Sequence, residues 1–505
     1  MAAVTYTGKR ELVNDSAGFV ALLNDAGSGA VDTSLWRGVG SATFVRATAA
    51  AARLSTGLWK LDVASGVARS HYLPDLSYGG YLSEAAATQL ITPSAAVRDM
   101  TNAAWVKVTM TTAKTSVGID GVTNACTQLT ATGANATIKF TLVAAASSRT
   151  YSGFIQRVTG SGNIQITQDN GGTWTTVSLP LVGFNLVQLN ASVLNAVFGI
   201  RIVTNGDSIN VDCNQFEAGP IATTPIPAAG TRNADVLTYQ TSGNAIGTAG
   251  TAYAEVQKSI FDTALVVRIL DLDSPAGNRP VLYVTATSKL SIYDGTTESS
   301  DSTFIASASV QKIASAWGGS TMKTCVGGTL GSGVSFDGDM NAGTNLSIGT
   351  GSGVAWNGTV KNVRIYSTKA ADATLQSMTT AGTDYAHLPG TSYSIDFKAE
   401  TVDRKARFRG SKQQPLGGGA AEVLLNRIER VIDVTTEILS ESAQVPQFVE
   451  FLHSVAGGEV FTFDRYGTIA VPVDPRPVQL ESEEYAEQRS MNTLQQRIPF
   501  AVRLI

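Results

Sequence analysis

From residue 95 onward, apolar and polar positions alternate in short runs. WVKVTM (105–110), ATIKFTLVA (136–144), TYSGFIQRV (150–158), NIQITQD (163–169), FGIRIVT (198–204) and SINVDCNQFEAG (208–219) are separated by Gly, Asn and Asp. A period of two is that of a half-buried strand. Many short strands, with no helix long enough for a crossover, predict an antiparallel sandwich or jelly roll over 95–230. QDNGGTWTTV (168–177) reads as a hairpin around Asn170-Gly171-Gly172. GPIATTPIPAAG (219–230), with three prolines, cannot hold a sheet interior and reads as a linker.

A second run of strands follows over 231–385, including TAYAEVQKSI (251–260), ALVVRILDLD (264–273) and GTVKNVRIYS (358–367). It closes on a polar turn at Ser367-Thr368-Lys369 and one or two helical turns over 370–378. Residues 1–94 read as a loosely organised attachment arm, with a helix over DSAGFVALLND (15–25) starting at an Asp15/Ser16 cap. In residues 386–505, EVLLNRIERVIDVTTEIL (422–439) alternates for too long to be a helix face. SAQVPQFVEFLHSV (442–455) has helical spacing at Phe448, Phe451, Leu452 and Val455, stopped by Gly457-Gly458. The expected fold is mainly β: tandem antiparallel β-sandwiches, then a β-rich α+β module with one helix.

Composition sharpens this picture. Only 15% of residues are charged, against about 25% in an average domain, while 43% are hydrophobic, enough for real cores. Residues 386–505 hold 29 of the 78 charged residues, which marks them as a separate module. The net charge of −4 argues against nucleic acid, whose affinity rests on clustered cations. The one basic cluster, DRKARFRGSK (403–412), reads as a solvated or partner-facing patch. Cys126, Cys213 and Cys325 are too scattered for a disulfide framework or zinc ribbon and read as buried thiols. No export signal or apolar run of about 18 residues is visible, so the expectation is synthesis in a bacterial cytoplasm without membrane insertion.

At VKNVRIYSTKAADATLQSM (360–378) the chain resembles the closing strand and small helix of concanavalin-like, laminin-G-like domains. Such a helix covers an open sandwich edge. VDCNQFEAGPIATTPIPAAGTRNADVLTY (211–239) resembles the exit from a carbohydrate-binding-module-like jelly roll. FVRATAAAARLSTGLWKLDV (44–63) with GGYLSEAAATQLIT (79–92) resembles the segment that precedes such a jelly roll in tailed-phage structural proteins. There the pattern is Leu-Leu-x-Glu-x-x-x-Thr-Asn-Leu; here Tyr81-Leu82-Ser83-Glu84 and Thr88-Gln89-Leu90 match it, with Gln in place of Asn. GGEVFTFDRYGTIAVPV (457–473) with QRIPFAVRLI (496–505) resembles β-rich modules of tail-tip and baseplate proteins. The resemblance implies a structural component of a tailed-phage virion, in the tail rather than the head, with other virion proteins as partners and a homo-oligomeric state. Its segments are an arm (1–94), a jelly roll (95–230), a concanavalin-like sandwich (231–385) and a virion-assembly module (386–505). It also implies displayed sandwiches that hold host-surface polysaccharide. The alternatives are a head-decoration or head-fibre protein, a secreted adhesin and a polysaccharide depolymerase.

Catalytic chemistry is thinly represented. His71, His387 and His453 fall in different segments, and no Gly-x-Ser-x-Gly elbow occurs. Glycoside hydrolysis needs two convergent carboxylates; Asp271 and Asp273 are the one acid pair on a predicted strand. No enzyme activity and no cofactor are expected. Asp337, Asp339 and Asn341 in FDGDMNAG offer hard oxygens to calcium, but Gly343 comes one place late for an EF-hand loop and residue 348 is Ile. Trp105, Trp174, Trp317 and Trp356 lie near predicted strand ends, where an exposed ring would stack on a sugar. Trp174, after the hairpin turn, is the first of these to test.

Overall fold

The computed structural model describes residues 2–8, 19–35, 38–244, 248–258, 266–273, 281–294, 297–304, 309–338, 343–351, 354–380, 391–397, 399–413, 422–436, 439–440, 451–452, 455, 460–481, 488–489 and 495–505. The chain is mainly β, built from several antiparallel sheets. It forms two compact units, Ala17–Ala381 and Met1–Ser16 with Gly382–Ile505.

Within the larger unit, the first sandwich packs two sheets. One runs Met110–Ser116, Cys126–Ala131, Ser208–Ala218, Ala87–Gln89, Gly230–Arg232, with Ser148–Thr159 pairing both Ser208–Ala218 and Asn185–Ser192. The other runs Val106–Val108, Ala136–Thr141, Val197–Ile202, Ile164–Thr167, Thr175–Thr176. The alternation puts Ile138, Phe140, Ile166, Phe198 and Ile200 against Leu129, Tyr151, Ile155, Val211 and Phe216. Phe198 is the centre of this core, stacked on Phe216 at 4.3 Å between ring centroids.

The second sandwich is discontinuous in sequence. Its seven-stranded sheet ends with Thr43–Val45 paired to Val236–Gln240. In its eleven-stranded sheet, Gly358–Tyr366 pairs with Gly250–Lys258, with Phe19–Ala21 and with Tyr78–Ser83. The expected arm is therefore largely sandwich. Phe19, Ala21, Leu23 and Tyr81 lie in the same core as Val256, Ile269, Trp317 and Ile365. The helix expected over 15–25 is replaced, where described, by strands Phe19–Ala21 and Asp25–Gly27. Alternating Phe19, Ala21 and Leu23 fit a two-residue period, and the sheet supplies the partner that a lone strand lacks.

The jelly roll is thus an insertion into the second sandwich. The chain enters it on Ala87–Gln89 and leaves on Gly230–Arg232, and these strands pair (Ala87↔Arg232, Gln89↔Gly230). The Pro-rich stretch before Gly230 is no strand, but neither is it a free linker: Ile221, Ala222 and Ile226 are buried.

Helix Asp372–Thr379 follows the closing strand, as expected. Leu375 and Met378 are buried against the strands around Cys325, and Thr379 Oγ1 accepts the Gly328 N–H at 3.0 Å. The helix covers the Gln311–Leu330 end of the large sheet.

In the smaller unit, Ala2–Gly8 is zipped between Thr391–Phe397 and Val460–Asp464, and the sheet continues through Pro475–Leu480, Pro499–Leu504, Glu422–Thr436 and Ala399–Gln413. Val4, Phe397, Phe461, Phe463, Phe500 and Val502 form its core. Phe451, Leu452 and Val455 are helical and buried there; His453 and residues 442–450 lie outside the described residues. The basic cluster 403–412 falls on the edge strand Ala399–Gln413.

Candidate functional site

Three of the four candidate tryptophans are core residues. Trp105 is 2% exposed, packs on Phe140 and Phe198, and donates from Nε1 to Ala96 O at 2.9 Å. Trp317 lies inside the second sandwich. Trp356 is fully buried, its Nε1 shared between Gln257 O and Thr359 O at 3.2 and 3.1 Å. A buried ring presents no face to a sugar, so these three serve as packing, not as glycan platforms.

Trp174 is different, being half-buried on the outer side of the jelly roll's five-stranded sheet. The turn that precedes it places Asn170 and Gly171 in the left-handed region, at φ 62° and 89°. A Cβ on Gly171 would lie 2.9 Å from Trp174 Nε1, so glycine lets the chain close under the indole. Arg201, on the polar phase of its strand, lays its guanidinium over the ring at 4.6 Å. Its Nε donates to Gln165 Oε1 at 2.7 Å, and Gln165 Nε2 donates to Thr176 Oγ1 at 3.1 Å. Lys139 Nζ donates to Asn170 Oδ1 at 2.8 Å. On the strand between these groups Gly199 is buried, and a Cβ there would sit 2.0 Å from Ile138 O, so glycine is what lets the two strands approach here. Val106 and Val108 stand on the neighbouring edge strand, 58% and 52% exposed. The result is a sheet face that gathers one aromatic, two cations, amide and hydroxyl groups and apolar spots.

The jelly roll's other sheet is not available in this way. The hairpin Ala50–Arg53/Trp59–Val63 lies on it, with Trp59 edge-on to Phe154 at 5.3 Å and its N–H on Ile119 O at 2.9 Å. Leu61 packs against the same cluster of Ile119, Phe154 and Cys213. Beside it Arg98 spans Asp120 and Asp212 with four hydrogen bonds of 2.7–3.0 Å. Burial pushes Asp120 up, but Arg98 outweighs it and holds the carboxyl below its usual value. Cys126, Cys213 and Cys325 are buried free thiols; burial pushes Cys126 up to about 12, far from a reactive thiolate.

The base of the jelly roll holds a buried ionic network that sequence reading did not find. Arg69 reaches Glu84 at 2.9 Å and also pairs with Asp235, which takes Arg46 at 2.9 Å. Arg232 pairs with Glu84 and donates to Thr224 Oγ1 at 3.0 Å. Glu84 further accepts from Thr224 N at 2.7 Å and Thr224 Oγ1 at 2.6 Å. Burial pushes Glu84 up; Arg232 and Arg69, with Thr224, prevail and hold it at about 2. The motif residues of 81–90 and 222–232 thus meet here. Gln89 belongs to the same junction, its Oε1 taking the Phe216 N–H at 3.0 Å and its Nε2 reaching Asn214 O at 2.9 Å.

No catalytic set assembles around the histidine that is described. His71 Nδ1 accepts the Arg53 N–H at 3.3 Å and its ring meets Trp59 edge-on. Burial, with Arg69 and Arg53 nearby, pushes it down to about 3, so it stays neutral and takes up no proton near pH 7. Asp271 pairs with Arg268 at 2.5 Å, while the Asp273 side chain, His387 and His453 lie outside the described residues. Asp337 is exposed; Asp339 and Asn341 lie outside the described residues. Among the described residues no group of three His, Cys, Asp or Glu side chains is placed to hold a metal ion.

No protein-family model matches the sequence, and comparison with curated proteins finds no match. Among solved structures, the chain is similar to the botulinum neurotoxin serotype D binding domain, with 10% identity and a TM-score of 0.24 over 53% of this chain and 81% of that one. It is also similar to the botulinum neurotoxin DC binding domain solved with rat synaptotagmin II, with 8% identity and a TM-score of 0.24 over 54% and 83%. The botulinum neurotoxin type G receptor binding domain matches with 9% identity and a TM-score of 0.21 over 54% and 70%. Scores this low carry no inference about function.

Proposed function

We propose that this chain is a non-enzymatic structural component of a tailed-phage particle, in the tail, tail tip or fibre, whose jelly roll holds host-surface polysaccharide. The observation that carries this reading is the junction at the base of the jelly roll. The two sequence patterns that resemble the flanks of a jelly roll in tailed-phage structural proteins, at 81–90 and 222–232, come together through Glu84, Thr224 and Arg232. A shared pattern with a shared physical task is stronger support than either stretch alone. Two acid pairs, Glu84 with Asp235 and Asp120 with Asp212, are each held by shared arginine contacts, buried at Arg69 and partly buried at Arg98. That suits binding better than hydrolysis, which needs one protonated and one ionised carboxyl flanking the substrate. Several copies on one particle would turn weak sugar contacts into avidity.

The test is to incubate the purified chain with polysaccharide from a host surface, then measure both co-sedimentation and new reducing ends. Retention without new reducing ends is expected. Steady release of reducing ends would overturn the non-enzymatic part, and no retention would overturn the binding part.

A further inference from the structure

We infer that the outer face of the jelly roll's five-stranded sheet takes an acidic polysaccharide, one bearing carboxylates such as uronic acids, with Arg201 and Lys139 as the anion contacts. This rests on the reading that the jelly roll holds glycans and adds the class of glycan.

The first reason is charge. The whole chain carries −4, yet the charged side chains on the strands of this face, Lys139 and Arg201, are both cations. Exposed Asp169, in the adjoining hairpin loop, has its Oδ1 engaged within that loop, accepting from Thr167 Oγ1 at 2.7 Å and the Thr173 N–H at 2.9 Å. The second reason is that Arg201 is preorganised. Its Nε is fixed by Gln165 and its plane by Trp174, while neither Nη makes a hydrogen bond among the described residues. A guanidinium fork held still with its outer donors free is suited to a carboxylate, which it meets with two parallel bonds and little ordering cost.

The third reason is shape. Strands sit about 4.8 Å apart, so the face spans roughly 19 Å from Val106–Val108 to Thr175–Thr176, room for several sugar rings. Gly199, in its middle, contributes no side chain of its own. Thr137, Thr141 and Thr176 offer hydroxyls, and Val106 and Val108 offer apolar contact to sugar C–H faces. Two cations are too few for a nucleic-acid backbone, which requires a longer row of them. They match the sparser charge of a polyuronate.

Affinity electrophoresis of the full chain tests this, in gels cast with polygalacturonate or with neutral dextran. Retardation by polygalacturonate and not by dextran is expected, fading as salt rises. Arg201→Ala and Lys139→Ala should each weaken it about tenfold, the scale of one charge-assisted hydrogen bond. Lys114→Ala, which removes a half-exposed lysine from the other sheet, should leave it unchanged. Retardation by dextran alone, or equally by both, overturns the acidic class and leaves the glycan reading standing. Retardation by neither overturns both. Equal loss in Lys114→Ala reduces the effect to overall charge and overturns the assignment to this face.

Discussion

Replacing Glu84 by Gln removes one charge from the network that closes the base of the jelly roll. Arg69 would keep Asp235, but Arg232 would lose the carboxylate it is paired with and keep Thr224 Oγ1 and Ala85 O. The Gln amide has one acceptor oxygen, so its NH2 would face either the two guanidinium groups or, flipped, the Thr224 N–H, a donor against a donor in both cases. Leaving a buried charge unpaired costs about 3–5 kcal/mol. Proton linkage gives a second figure. Glu84 is lowered from the ordinary 4.5 to about 2, which at about 1.4 kcal/mol per pH unit is about 3 kcal/mol. Because the folded value lies below the unfolded one, this stability is fully present above pH 4.5 and is lost as pH falls toward 2. Hydrogen exchange on peptides covering 81–90 and 222–235 reads the opening free energy of this region without requiring the whole chain to unfold in one step. At pH 7 the variant should open about 3 kcal/mol more easily, and its stability should fall less steeply than the wild type's between pH 4.5 and 2. A difference under about 1 kcal/mol, the size of an exposed pair, or an unchanged acid slope, would refute the reasoning.

Other consequences follow from burial. Trp105→Ala should cost about 3–5 kcal/mol in unfolding experiments, because the ring fills the jelly-roll core. Trp174→Ala should cost under about 1 kcal/mol yet abolish most polysaccharide retention in the same electrophoresis. Leu375→Ala should loosen helix Asp372–Thr379 by about 2–5 kcal/mol and uncover the strands around Cys325, seen as faster exchange over 321–330. Asp464 accepts N–H bonds from Tyr466, Gly467, Val473 and Asp474 at 2.6–3.1 Å, which outweigh burial and hold its carboxyl below the usual 3.8. Asp464→Ala should therefore speed exchange over 466–474, and in the wild type that loop should loosen only as pH falls below about 4.

Much of the architecture was legible because it is written in local alternation. Phe198, Ile200 and Ile202 on one strand, with Arg201 between them, already state which side faces the core. Ala2–Gly8 and Phe19–Tyr72 were not legible as sheet members. Most of their strands are two to seven residues long, and their partners lie up to about 460 residues away. No local period encodes a pairing over that distance; it is fixed by the edge that the rest of the sheet leaves open. The same limit hid the network at the base of the jelly roll, since Arg46, Arg69, Glu84, Arg232 and Asp235 meet only once the insertion is closed. Among the tryptophans, the sequence offered one usable difference. Trp174 sits among threonines after Asn-Gly-Gly, whereas Trp105 and Trp317 belong to apolar runs. Arg201 and Lys139 were visible as the polar phase of strands, but their convergence with Trp174 depends on how the hairpin folds over the sheet.

The central claim is that the chain is carried on a virus particle as a binding body. Antibody raised against the jelly roll, gold-labelled and applied to gradient-purified particles from a producing culture, measures this most directly in the electron microscope. Gold at the tail is the predicted result. Bare particles, with the chain recovered only in the soluble fraction, would contradict it.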